Sequence, residues 1–177
     1  LYLLPILVVA WVNLHIYFFL GILLILLFAL DAFLSNRRNI LCSYTKTLLL
    51  VFIIGAAFSL INPYFIQGAL YPLTAFNNYG YQIEENQTIF FLESLGFQKL
   101  SVFYLKLAMF ASLLTLVIRF KKARPIDWLL TVTFSIAGFL AIRNVPFFSL
   151  AVLIPFAMNL SPLLKSLSSK YASIPKR

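Results

Sequence analysis

The sequence LYLLPILVVAWVNLHIYFFLGILLILLFALDAFL, residues 1–34, decides the fold, because it is an apolar run with one polar interruption near its middle, WVNLH at residues 11–15. A straight helix over the whole run would cover roughly 50 Å, whereas the hydrocarbon core of a membrane is about 30 Å thick. The run therefore has to bend or turn, and we predict a helix break at residues 11–15. This break carries His15, the only histidine of the chain.

Composition identifies an integral membrane protein. Hydrophobic residues make up 62% of the chain and charged residues 11%, and the mean hydropathy is +0.96. Soluble domains carry about 25% charged residues. The apolar segments lack the alternation of a membrane barrel, so they predict helices. The expected fold class is all-α: a polytopic membrane helix bundle of about four to six transmembrane or partial helices, with a short helix at the outer interface.

The order of apolar and charged segments predicts a single transmembrane domain over residues 1–177. Basic residues cluster after the first and third spans and in a tail at residues 165–177, so these segments are expected in the cytoplasm. The connection at residues 64–100 holds three of the five acidic residues and is expected outside the cytoplasm. We expect a multi-pass protein of a bacterial inner (cytoplasmic) membrane. The predicted spans are residues 16–34, 47–61, 102–118, 126–142 and 147–160.

The net charge of +9 does not indicate nucleic-acid binding, because most basic residues lie in the short clusters that set topology. The single cysteine, Cys42, excludes an internal disulfide and makes a sulfur-ligated metal site improbable. Leu1 already lies inside an apolar segment, so we expect the chain to be the C-terminal part of a longer protein. The oligomeric state is left open.

The polar residues that do not set topology fall at the extracytoplasmic ends of the predicted helices. Their common level in the membrane makes them the candidate site, for which no metal is predicted. The set comprises Asn13, His15, Asn62, Glu84, Glu85, Arg143 and Asn144.

Arg143 is the most informative residue of this set. A charge between the apolar Ile142 and Phe147 is costly in a membrane and is usually paired or functional. Its guanidinium group suits bidentate binding of a phosphate or carboxylate. The alternative is a helix-end arginine that extends to water or pairs with Glu84 or Glu85.

The other candidates each have a functional and a structural interpretation. Asn13 and His15 could bind a sugar hydroxyl or a diphosphate, with His15 as an acid or base. They could equally satisfy backbone groups that the helix break exposes. Glu84 and Glu85 could deprotonate an acceptor or hold a divalent cation, or they could be solvated loop charges.

Several short motifs resemble, in the same order, those of uncharacterised bacterial polytopic proteins grouped with the glycosyltransferase-C superfamily. That signature reads "P…WaNlHggf..G", "NPyG", "I.EW" and "RnvPlFal". Here Ile16 and Tyr17 stand in place of its two glycines, and Asn86 in place of its tryptophan. The matching stretches are residues 4–15 with Gly21, and residues 62–64, 83–86 and 143–147.

The resemblance implies transfer of a sugar from a polyprenyl-phosphate donor at the extracytoplasmic face, within the lipid bilayer. Arg143 would hold the donor phosphate, and Glu85 would assist acid/base chemistry or bind a divalent cation in the intact protein. His15 and Asn13 would line the site. The superfamily keeps its catalytic acid in the first outer loop, which would precede Leu1, and no other cofactor is implied.

Two other functions are compatible with the same residues. A transporter or flippase-like protein would use broken helices to bind an anionic lipid or solute. A non-catalytic membrane scaffold would use its polar residues only to complete helix ends.

Overall fold

A computed structural model of the chain describes residues 1–36, 42–74, 83–96 and 99–172. All regular structure in these ranges is helical, which confirms the predicted all-α class. Two short 3-10 helices, Glu84–Asn86 and Ile142–Asn144, accompany the α-helices. The α-helices are α1 (Leu4–Val12), α2 (Phe18–Ser35), α3 (Ser43–Phe58), α4 (Phe65–Thr74), α5 (Ile89–Ser94), α6 (Lys99–Ile118), α7 (Pro125–Leu140) and α8 (Val145–Ala172).

Three helical segments are long and apolar enough to cross a membrane, as judged over the described residues: Phe18–Ser35, Leu100–Ile118 and Ile142–Ser166. Ser43–Phe58 and Pro125–Leu140 are shorter apolar helices. Many of the large apolar side chains on these helices are exposed, as expected for surfaces that contact lipid tails rather than water. The chain is therefore a multi-pass integral membrane protein.

The chain forms two compact units, residues 1–81 and residues 82–177. In the first unit, α1, α2 and α3 pack against one another. Ala29, Ala32 and Leu48 form a buried cluster where α2 meets α3. Gly21 lets α1 approach α2, because a β-carbon there would lie 3.1 Å from the Trp11 ring.

The break expected at residues 11–15 is present. α1 ends at Val12 and α2 begins at Phe18. The carbonyl of Trp11 accepts hydrogen bonds from the backbone N–H groups of Leu14 and His15, which closes the last turn of α1. The chain then passes through short turns to α2 instead of continuing as one helix.

A second turn joins α3 to α4. α3 ends at Phe58, earlier than the expected residue 61, and the chain turns before α4. α4 lies in the segment that the sequence analysis treated as a loop. It tolerates the internal Pro72, which is buried.

In the second unit, α6, α7 and α8 pack together, and α5 lies against α6 and α7. Lys106 of α6 forms an ion pair with Glu93 of α5, and its ammonium group lies 5.1 Å from the centre of the Phe90 ring. Phe90 in turn stacks on Phe139 of α7 at 5.8 Å. These contacts hold the short α5, which matches the predicted interfacial helix, against the longer helices.

The N-cap of α5 is Thr88, whose hydroxyl accepts a hydrogen bond from the Phe91 backbone N–H at 3.2 Å. Asn86 lies two residues earlier, where it ends the preceding 3-10 helix and its side chain accepts a hydrogen bond from Arg143.

α8 is longer than the predicted span at residues 147–160. It starts directly after the Ile142–Asn144 turn and continues through Pro155 and Pro162 to Ala172. The helix therefore takes in the first half of the predicted basic tail. Residues 173–177 and the basic loop at residues 37–41 lie outside the described residues.

Candidate binding cavity at the first helix break

A cavity of about 540 Å³ lies in the first unit, beside the break between α1 and α2. The break provides one wall, and the α3–α4 turn with the first half of α4 provides the other. Its lining mixes amide, imidazole and phenol groups with apolar side chains. The lining residues are Val12, Asn13, Leu14, His15, Ile16, Phe18, Asn62, Pro63, Tyr64, Gln67, Gly68 and Tyr71.

Asn13 ties the break to the end of α3. Its Nδ2 donates to the Val9 carbonyl and to the Ile61 carbonyl, both at 2.8 Å. Both amide hydrogens are thus used by backbone groups at two helix ends. The side-chain oxygen Oδ1 is the atom that Asn13 can offer to a ligand, and it can only accept a hydrogen bond.

His15 is held in one orientation by its own turn. Its Nδ1 accepts a hydrogen bond from the Tyr17 backbone N–H at 3.2 Å, and its ring stacks on the Tyr17 ring with centroids 5.4 Å apart. Because Nδ1 acts as an acceptor, the neutral ring carries its proton on Nε2. His15 is exposed, so it can present the cavity with a hydrogen-bond donor.

Asn62 shapes the opposite wall. Its Nδ2 donates to the carbonyls of Ser59 and Phe65, and its Oδ1 accepts from the Tyr64 backbone N–H at 2.9 Å. Phe65 has a φ of 47°, a left-handed conformation that costs a bulky residue free energy. We infer that the Asn62 bonds stabilise this conformation and that Asn62 positions the wall.

α4 and the turn before it contribute three polar side chains that were not predicted as site residues: Tyr64, Gln67 and Tyr71. Tyr64 precedes the helix, whereas Gln67 and Tyr71 are four residues apart on α4 and so lie on one helix face. This spacing was the available signal, but the segment was assigned to a loop.

The remaining predicted residues belong to the second unit. Arg143 donates from Nη1 to the Asn86 side-chain oxygen at 2.7 Å. The Asn144 amide donates to the Ala137 carbonyl at 2.9 Å and so completes the end of α7. Glu84 and Glu85 are exposed on the Glu84–Asn86 turn.

The structure thus places the predicted residues in two groups. Asn13, His15 and Asn62 line one cavity of the first unit. Glu84, Glu85, Arg143 and Asn144 lie on the two 3-10 turns of the second unit, which contact each other. Within the described ranges, no group of three or more His, Cys, Asp or Glu side chains could hold a metal ion.

Comparisons with protein-family models, with curated proteins and with solved structures found no match.

A buried carboxylate in the second unit was also missed from the sequence. Asp127, only 2% exposed, accepts hydrogen bonds from the Arg124 backbone and guanidinium groups. It also accepts from the Asn159 amide of α8 at 3.1 Å. Arg124 was interpreted only as a topology charge, although its spacing of three residues from Asp127 predicts contact at a helix start.

Proposed function

We propose that this chain is the part of a membrane glycosyltransferase-like protein that binds a polyprenyl-phosphate-linked sugar, and that the cavity at the first helix break holds the sugar. The observation that carries the proposal is the composition of the cavity wall. A volume of about 540 Å³ lies within the usual range for small-molecule sites.

The hydrogen-bonding groups of the cavity suit a sugar. Hydroxyl groups both donate and accept, and the wall offers an acceptor at Asn13 Oδ1 and a donor at His15 Nε2. Gln67 offers both kinds of group. The phenol rings of Tyr64 and Tyr71 add apolar faces that end in a hydroxyl group. Such faces suit a sugar ring, which is apolar on one side.

The cavity also suits a lipid-linked substrate. It lies in a unit that exposes apolar side chains, among them Leu14 in the helix break and Ile66 and Leu73 on α4. A polyprenyl chain could remain in the bilayer while the sugar enters the polar lining. The motif resemblance in residues 4–15 supports the same substrate class.

The resemblance assigns phosphate binding to Arg143, which lies in the second unit and whose guanidinium group Asn86 orients. Glu85 would act as an acid or base, or help to bind a divalent cation.

Binding to the full chain in nanodiscs tests the proposal, with a polyprenyl-phosphate-linked hexose as the probe and the same polyprenyl phosphate without sugar as the reference. We expect the sugar-bearing lipid to bind more tightly. Gln67→Ala and Tyr71→Phe should each weaken that preference about fivefold to tenfold, as for loss of one hydrogen bond.

Tyr44→Phe is the matched control, because Tyr44 is exposed and lies outside the cavity lining. It should leave the preference unchanged. Equal binding of both lipids, or no effect of the cavity variants, would contradict the proposal.

A membrane scaffold is the second candidate, and a specific observation favours it. Both amide hydrogens of Asn13 and of Asn62 satisfy backbone carbonyls at helix ends. A scaffold predicts that Asn13→Ala lowers thermal stability in the absence of any lipid-linked sugar, and that Gln67→Ala changes neither stability nor lipid binding.

A further inference from the structure

The turn between α6 and α7 in the second unit concentrates positive charge. Residues 119–124 read RFKKAR and contain no acidic residue. Lys121 and Lys122 are exposed. The carbonyl of Arg119 accepts the backbone N–H groups of Lys122 and Ala123, at 2.7 and 2.8 Å, which folds the turn back on the end of α6.

Arg119 is partly enclosed by the protein. Among the described residues, its Nε and Nη1 atoms are buried and have no hydrogen-bond partner. An arginine that merely extends to water keeps its guanidinium nitrogens solvated. Arg119 does not fit that description, because Nε and Nη1 are buried, which leaves Nη2 as the guanidinium nitrogen that an outside group can reach.

The nearest carboxylate in sequence is already occupied. Asp127 accepts from the Arg124 guanidinium group at 2.7 Å and from the Asn159 amide at 3.1 Å. Glu93, the other carboxylate with an ion pair in this unit, pairs with Lys106. Within the described chain Arg119 has no ion pair, so an anion from outside the chain would stabilise it.

The surroundings of Arg119 are those of a membrane surface. Val117 and Ile118, which precede it, are each 59% exposed, and Phe120 is 69% exposed. The Phe120 ring meets the edge of Trp128 at 5.8 Å. Exposed apolar and aromatic groups beside lysines are typical of the boundary between lipid tails and headgroups.

We propose that Arg119, with Lys121 and Lys122, binds the phosphate of an anionic phospholipid, whose acyl chains cover Val117, Ile118 and Phe120. The phosphate meets Nη2, and it compensates the whole guanidinium charge because that charge is delocalised over three nitrogens. Basic pockets beside transmembrane helices recognise lipid headgroups in this way. This proposal is independent of the sugar site.

Native mass spectrometry of the full chain, released from nanodiscs of equal phosphatidylglycerol and phosphatidylcholine, tests the proposal. The wild type should retain phosphatidylglycerol preferentially. Arg119→Gln should lower this enrichment about fivefold, the usual contribution of one basic side chain near a charged membrane. Arg119→Lys should retain part of it, because the charge stays but the planar donor group is lost.

Lys165→Gln is the control, since it removes one exposed positive charge elsewhere in the same unit. It should leave the enrichment unchanged. The double variant Lys121→Gln/Lys122→Gln alters only exposed side chains and should lower the enrichment even if Arg119→Gln fails to fold.

Three results would overturn the proposal. One is equal enrichment in the wild type and in the double variant. Another is an equal loss in Lys165→Gln, which would indicate attraction by net charge alone. The third is displacement of phosphatidylglycerol by excess inorganic phosphate, which would assign the site to a free anion rather than a lipid.

Discussion

The side-chain oxygen of Asn62 lies 2.0 Å from the position that a β-carbon on residue 68 would occupy. A β-carbon does not lie this close to a non-bonded atom. Only glycine therefore fits at position 68 while the Asn62 side chain keeps its position in the α3–α4 turn. The close approach brings the first turns of α4 against the α3–α4 turn. One wall of the cavity therefore depends on the absence of a side chain at position 68.

Gly68→Ala should displace either Asn62 or α4. We expect the free energy of unfolding to fall by about 1 to 3 kcal/mol, as for other overpacked sites, and binding of the lipid-linked hexose to weaken with it. Thermal unfolding in detergent, followed by circular dichroism, measures the first effect. Nanodisc binding measures the second.

Gly55→Ala provides the control, because a β-carbon there would meet only Val8 Cγ2, at an ordinary 3.8 Å. Alanine also favours the helix interior. This variant should be as stable as the wild type or slightly more stable. If both variants behave alike, the tight contact between Asn62 and Gly68 does not determine the wall.

The first helix break could be predicted because its cause is local. A polar segment inside an overlong apolar run has to turn. The hydrogen bond from Asn13 to the Val9 carbonyl and that from the Tyr17 N–H to His15 are made within that turn or with its immediate neighbours. The sequence thus identified the break and two residues of the cavity. It could not identify the Ile61 carbonyl as a partner of Asn13, because that contact depends on how α1 packs against α3.

The local pattern of apolar and polar residues did not predict the α4 helix. Its ten residues include Gly68 and Pro72, both unfavourable in a helix interior, and its side chains are largely exposed. Gln67 and Tyr71, which line the cavity, lie on this helix and were not predicted either. Its formation depends on the Asn62 turn rather than on helix propensity.

α8 is longer than its predicted span for a related reason. The apolar run predicted an end near residue 160, where the basic tail follows. The helix instead continues to Ala172. Contacts of its earlier turns with α6 and α7 stabilise it, and the sequence alone does not reveal such tertiary contacts.

Asp127 is a second site where one substitution has a large expected effect. Asp127→Ala removes the acceptor for the Arg124 backbone N–H at the start of α7 and for the buried Asn159 amide. Loss of a helix cap and of a buried hydrogen bond should together lower the unfolding free energy by about 2 to 4 kcal/mol. Asp127→Asn keeps one side-chain acceptor oxygen and should show a smaller loss.

Glu84→Ala is the matched carboxylate control for thermal unfolding, because Glu84 is exposed on its turn. Its effect should stay within about 0.5 kcal/mol. A loss at Glu84 as large as that at Asp127 would mean that the stability effect reflects net charge and not the buried hydrogen bonds.

Cys42 gives a pH-dependent prediction outside the spanning helices. A hydrogen bond with the Thr45 side chain, 3.3 Å from Sγ to Oγ1, lowers the pKa of the Cys42 thiol to about 7. Because the thiolate is the reactive form, alkylation by a water-soluble maleimide should rise with pH and reach half its maximal rate near pH 7, below the usual midpoint of about 8.5.

Thr45→Val removes the hydroxyl and should move the midpoint upward, while an unchanged midpoint would show that Thr45 does not stabilise the thiolate. The positive-inside rule predicts a cytoplasmic position for this segment, so the same reagent should label Cys42 in inside-out vesicles and spare it in sealed right-side-out vesicles.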